Sequence, residues 1–189
     1  MSLKLVERRI RSEKIYSGEL LHVYKDTVKL PNGKESTREW IKHPGASAVL
    51  PVFENGDVML IKQFRYPLSQ IFYEVPAGKI DQGEPPGVTS WRELEEETGL
   101  VCENMAYAGH FHPAIGFSDE VIYLYVAWGL RETIQNVDSD EFVQLVRMPF
   151  REALAMMESG DITDGKTMAC IFRAMNWWRE NAPFPLDMK

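Results

Sequence analysis

The sequence predicts an α+β fold, on three observations. Strand-like segments run near 20–30, 36–43, 46–54, 57–65, 71–75, 105–112, 120–130 and 142–148. Three stretches of helical period lie among and after them, so strands and helices must pack as mixed layers. At 189 residues the chain is long enough to bury one sizeable core.

Each element has a local reason. Apolar runs 46–53 and 58–61 flank Glu54-Asn55-Gly56-Asp57, and Asn55-Gly56 is a hairpin turn signal. The first helix is expected over 86–98. Glu84-Pro85-Pro86 places an acid and prolines at its start, where a missing N–H costs little, and Gly99 stops it. Val88, Trp91 and Leu94 recur at threes, with Thr98 on a similar face, which predicts a core-facing stripe. Pro149 opens a second helix running to Ser159, ended by Gly160. A third covers 164–179, and its stripe of Met168, Ile171, Met175 and Trp178 reads as core.

Composition narrows the class. The formal net charge of −7 argues against a duplex nucleic-acid binder, which needs a basic surface. A small anionic substrate stays compatible, because local arginines and a metal can neutralise it. No apolar run reaches the ~18 residues of a membrane span, and residues 1–9 lack the apolar core of a signal peptide. Cys102 and Cys170 are too few for a disulfide framework and read as buried thiols. The expectation is a cytoplasmic protein without nucleic-acid or membrane partners.

The most informative stretch is 78–100. Glu93, Glu96 and Glu97 stand at i, i+3 and i+4, so a helix puts them on one face. Like charges that close destabilise a bare helix, and a hard divalent cation with oxygen ligands relieves the repulsion. The other reading is a solvated acidic face. The preceding loop favours a site: Gly78 and Gly83, after Pro76, allow a tight turn that a ligand can approach. His43, His110 and His112 read as hydrogen-bonded histidines near strands, since carboxylates already suit Mg2+.

Gly-x5-Glu-x7-Arg-Glu-Leu-x-Glu-Glu-x-Gly-Leu, from Gly78 to Leu100, resembles a complete Nudix box. Four further segments resemble the ADP-ribose pyrophosphatase branch, which includes broader nucleoside diphosphate sugar hydrolases: Arg38-Glu39-Trp40, His43-Pro44-Gly45-Ala46, Gln63-Phe64-Arg65-Tyr66 and Glu74-Val75-Pro76-Ala77-Gly78. Pro113, opening the segment 113–120, stands for the proline that marks this branch downstream of the box, slightly nearer the box than usual. The resemblance implies a Nudix α/β/α sandwich with a mixed sheet. Residues 1–45 would form an N-terminal antiparallel strand region, and residues 46–189 the Nudix domain. It also implies hydrolysis of ADP-ribose or a related nucleoside diphosphate sugar, with Mg2+ or, as a substitute, Mn2+. Homodimers are frequent in this branch, with N-terminal strands crossing to the partner, and a homodimer is expected here.

The resemblance also assigns roles. Glu93 and Glu97 would be the principal metal ligands, Glu96 would share a further ion, and the Ala77 carbonyl would complete the set. Arg92 would orient a box glutamate through a salt bridge. Trp40 could stack on a nucleobase, with Arg38 holding the base or a phosphate, although Trp40 also reads as a core aromatic. Arg65 suits a phosphate or terminal ribose, or else a surface salt bridge. Glu74 could accept ribose hydroxyls or pair with a nearby base. Ser118, Asp119 and Glu120 would form the sugar end of a cleft, or else a plain polar loop.

Two other functions share these motifs. One is a nucleoside triphosphate or dinucleoside polyphosphate hydrolase. The other is a catalytically inactive nucleotide sensor, against which the intact glutamates argue. In this branch the general base lies outside the box, and the segment 136–143 resembles its loop. Glu141 is the first choice for positioning or deprotonating the attacking water, with Asp140 and Asp138 as alternatives and a solvated acidic loop as the plain reading. The Glu141→Gln variant should lose turnover by ~10²-fold or more with a smaller effect on folding. Near-normal steady-state activity in that variant would remove Glu141 from the mechanism.

Overall fold

The structure is a computed structural model, and it describes residues 5–136, 142–181 and 183–187. The chain divides into two compact units. One runs through to Pro44 and takes in Ala114–Glu120; the other comprises Gly45–Pro113 and the chain from Val121 onward.

The first unit is a three-stranded antiparallel meander, β1 (Arg8–Ser17), β2 (His22–Lys29) and β3 (Glu35–Lys42), in that order. Its sheet is regular between β2 and β3, from His22↔Lys42 to Lys29↔Glu35. Segment Ala114–Glu120 docks on β3: the Ile41 N–H donates to the Phe117 carbonyl at 2.8 Å, and the His43 N–H donates to Asp119 Oδ1 at 2.7 Å. All of β1 is exposed, although Ile10, Ile15 and Tyr16 lie on it.

The second unit has two sheets. β7 (Ala77–Lys79), β4 (Ala46–Pro51), β9 (Ile122–Glu132) and β8 (Leu100–Phe111) form a mixed sheet in that order, with β4 and β9 parallel. β10 (Val143–Pro149), β5 (Asp57–Arg65) and β6 (Gln70–Glu74) form an antiparallel one. Helix α1 (Pro86–Thr98) packs on β4 and β8, α2 (Phe150–Ser159) on β10, and α3 (Gly165–Asn181) on β9 and β4. The mixed sheet separates two cores. Ala48, Leu50, Ile122, Leu124 and Val126 pack with Ile171, Ala174 and Trp178 of α3. Val49 and Ala127 pack with Leu94, Leu100 and Cys102 on the α1 side. Successive residues of β4 therefore serve opposite layers, as the two-residue period of a strand requires. This is the α/β/α layering that the family resemblance implies. Cys102 and Cys170 are buried free thiols, and burial pushes both up to about 12.

Several elements depart from expectation. The Asn55-Gly56 turn forms, with Gly56 at φ +83°, but its flanking strands enter different sheets and pair at an isolated Val52–Val58 bridge. β8 begins at Leu100, five residues before the expected 105, because Leu100 and Cys102 are buried on the α1 side. The strand β7, three residues long, carries no periodic signal. The inward face of α1 also differs. Val88 is 51% exposed and Trp91 40%, while Thr89, Ser90, Glu93, Leu94, Glu97 and Thr98 are buried. Polar groups that find partners outcompete the apolar stripe: Ser90 Oγ meets Ser47 Oγ at 2.7 Å, and Thr89 Oγ1 donates to Glu84 at 2.7 Å.

Candidate active site

The site is built on α1 and the loop before it. Gly99 ends the helix in the left-handed region at φ +64°, and its N–H donates to the Glu95 carbonyl. Glu93 is 8% exposed and Glu97 2%, so two of the three cluster carboxylates are not solvated. Glu96 stays partly open. The Ala77 N–H donates to Glu97 Oε2 at 2.9 Å. Glu93 lies against Gly78: a Cβ there would overlap its carboxylate, 2.7 Å even from the farther oxygen. That glycine is needed for close approach by a side chain.

Arg92 ties the cluster together. Its Nη1 donates to Glu93 Oε1 at 2.7 Å and to Glu96 Oε2 at 2.8 Å. Its Nε and Nη2 reach the Glu84 oxygens at 3.3 Å, and Nη2 also reaches the Lys79 carbonyl at 3.3 Å. Burial works against the Arg92 charge, but the Glu84 hydrogen bond, the Glu93 charge and the Glu96 hydrogen bond outweigh it, so the guanidinium holds its proton more tightly than usual. The Glu84 carboxyl is held below its ordinary range by the Arg92 and Thr89 hydrogen bonds. Glu84 is thus a full member of the cluster, which its place in the box motif foreshadows.

Among the described residues no three acidic, histidine or cysteine side chains close on one point as a ready-made cage. Arg92 occupies part of the space between Glu93 and Glu96. The donor set nevertheless fits a hard divalent cation: all three side chains offer carboxylate oxygens from one helix face, and an ion would share them with Arg92.

The other sequence candidates fall elsewhere. Arg65 forms a bidentate pair with Glu74, Nε to Oε1 at 2.7 Å and Nη2 to Oε2 at 2.6 Å. The Glu74 hydrogen bond raises the proton affinity of Arg65. Glu74 is 2% exposed and also pairs with Lys166, a residue that the sequence reading missed. Its only sequence signal is Asp164 three residues before Thr167, an N-cap pattern at the start of α3. In the first unit, Arg38 pairs with Glu7, Trp40 stacks on Tyr24 at 5.1 Å between ring centroids, and His43 faces Glu120 at 3.6 Å. Ser118 Oγ accepts the Glu120 N–H at 3.1 Å. Glu141, Asp140 and Asp138 lie outside the described residues.

Carboxylates gathered on a glycine-flanked helix of an α/β/α sandwich suit a divalent cation, and a cation so held could act on phosphate groups. The NUDIX domain pattern matches residues 42–169, and the pattern of a nucleoside diphosphate sugar hydrolase N-terminal domain matches residues 7–41. The chain belongs to the Nudix family and is a pyrophosphohydrolase of that family. It is 43% identical to a methanol dehydrogenase activator of Bacillus methanolicus, over 87% of this chain and 90% of that one. It is 42% identical to an ADP-ribose pyrophosphatase of Bacillus subtilis (strain 168), over 88% and 91%. A solved ADP compounds hydrolase superposes with a TM-score of 0.83 at 20% identity, covering 94% of this chain and 97% of that one, which shows the shared fold.

Placing a methyl at Gly78 tests the packing directly. The Gly78→Ala variant should expel the Glu93 carboxylate and lose ~10²-fold or more in kcat while remaining folded. Wild-type kcat with an unchanged circular dichroism melt would show that Glu93 has no need of that position.

Proposed function

We propose that the chain hydrolyses the pyrophosphate bond of ADP-ribose, or a closely related nucleoside diphosphate sugar, with Mg2+. The products are a nucleoside monophosphate and a sugar phosphate. One observation carries this reading: a nucleoside diphosphate sugar hydrolase N-terminal pattern directly precedes a domain in which Arg92 holds the buried Glu93 and the Ala77 N–H holds the buried Glu97. The named Bacillus subtilis relative points the same way.

Glu93, Glu96, Glu97 and the Ala77 carbonyl would hold the ion. When bound, Mg2+ offsets phosphate charge and lowers the pKa of coordinated water. Arg92 fixes Glu93 and Glu96 against rotation, and the Ala77 N–H fixes Glu97. Glu141 is assigned to position the attacking water or take its proton, so that the bridging oxygen leaves with the second phosphate. Arg38 and Trp40 are assigned to the base end, and Ser118 and Glu120 to the sugar end. Trp40 Nε1 is buried and finds no partner among the described residues. Arg65 is assigned to a phosphate, with Glu74 as its support.

The working form is a homodimer in the cytoplasm. The fully exposed β1, with Ile10, Ile15 and Tyr16 on it, supports strand-mediated pairing. No helix among the described residues is long and apolar enough to cross a membrane. Sedimentation at working concentration should return a dimer, and a monomer there removes this part of the proposal.

A panel of ADP-ribose, GDP-mannose, ATP and a dinucleoside polyphosphate, each run with and without Mg2+, tests the chemistry. ADP-ribose should give AMP and ribose 5-phosphate only with the metal. Pyrophosphate released from ATP, with ADP-ribose untouched, would overturn the assignment.

A further inference from the structure

Thr167 is fully buried and has no part in the chemistry above. Its hydroxyl is used twice: it donates to Asp164 Oδ2 at 2.6 Å and accepts the Val75 N–H at 2.9 Å. Asp164 Oδ2 also accepts the Thr167 N–H and Lys166 Nζ, each at 3.0 Å, so it caps α3. Lys166 pairs in turn with Glu74, the residue before Val75.

The segment held this way leads straight to the metal-binding face. Pro76 has a restricted φ, and its carbonyl accepts the Val49 N–H at 3.0 Å. Ala77 then gives its N–H to Glu97 Oε2 at 2.9 Å. From Glu74 to Ala77 every residue is therefore pinned, the first two by α3. A buried N–H that loses its acceptor is costly, so the Val75 backbone would move to find another. Only one residue, Pro76, separates Val75 from Ala77, and a stiff proline passes the shift on. Glu97 is buried, and that N–H is one of the groups that hold its carboxylate.

We propose that the first turn of α3, through Thr167 and Lys166, is a positioning device for Glu97. This rests on Glu97 being an ion ligand, as argued under the proposed function. Thr167 is fully buried, out of reach of substrate and ion, and Lys166 is committed to Glu74 and Asp164. They act by fixing where the Ala77 N–H points.

The test compares T167V, which keeps the shape and loses the hydroxyl, with T167S, which keeps the hydroxyl. Mn2+ binding to the full-length protein is titrated by the electron paramagnetic resonance of the free ion, with wild type and E97Q alongside. Turnover and thermal melting are measured on the same samples. T167V should bind Mn2+ about tenfold more weakly and lose about tenfold in kcat, with KM little changed, as for residues that orient a metal ligand. T167S should restore both. A T167V protein that melts lower yet binds Mn2+ and turns over like wild type would mean that Thr167 is only structural, and the proposal falls. Should T167V fail to fold, K166M carries the test, because Glu74 keeps Arg65: weaker Mn2+ binding is expected, and wild-type affinity overturns the idea. If E97Q binds Mn2+ as wild type does, the ion-ligand reading of Glu97 fails, and this inference fails with it.

Discussion

Burial of the Glu93 and Glu97 carboxylates is the constraint on which the rest of the second unit depends. Two effects oppose it, and they differ in size. Repulsion between like charges one turn apart costs ~0.2–0.5 kcal/mol per pair on a helix surface. A buried charge stripped of its partner costs ~3–5 kcal/mol. Neutralising the buried groups therefore takes precedence over relieving the repulsion. The surroundings of α1 reflect that order: Arg92 contacts Glu93 and Glu96, the Ala77 N–H contacts Glu97, and Gly78 gives up its side chain so that Glu93 has room. A divalent ion would have to share the Glu93 and Glu96 oxygens with Arg92.

The other end of the same helix obeys a related rule. The last carbonyls of a helix lack intrahelical donors. Here the segment after β9 supplies them: Gln135 Nε2 donates to the Glu97 carbonyl at 2.6 Å, the Asn136 N–H to the Glu96 carbonyl at 3.0 Å, and the Thr133 N–H to the Gly99 carbonyl at 2.7 Å. Gly99 permits this contact. A Cβ on it would come within 2.9 Å of the Gln135 nitrogen, in addition to the strain of a positive φ. Gly78 and Gly99 thus share a reason, since each marks a place where another group must come closer than a side chain allows. Between them, Glu96 and Glu97 are fixed through the backbone as well as through their carboxylates.

These relations explain what the sequence made legible. The extent of α1 was readable because prolines and Gly99 mark its ends, and the cluster was readable because i, i+3 and i+4 is a purely local geometry. The buried face was misread because hydrophobic periodicity weighs Val88 and Trp91 above Thr89 and Glu97. Polar groups turn inward only where partners such as Glu84, Ser47 or Ala77 await them, and those partners come from other elements. β7 is too short for any period to show. The tie from Lys166 to Glu74 spans 92 positions, and nothing local at either end announces it. Arg65 and Glu74 were each legible as charged candidates, but their commitment to each other was not.

That commitment bears on how a substrate can be recognised. If Glu74 accepted ribose hydroxyls, a buried carboxylate would have to turn outward and give up its bonds to Arg65 and Lys166. Charge-assisted bonds in a partly buried setting are among the stronger ones in a protein, and neutral sugar hydroxyls replace them poorly. Arg65 meets the opposite limit. Its Nε and Nη2 are engaged by Glu74, which leaves the outer edge of a guanidinium that is still 44% exposed. A phosphate can approach that edge, with Lys166 helping to balance the Glu74 charge behind it. In this arrangement Glu74 supports Arg65 and is itself held on both sides, by Arg65 and by Lys166.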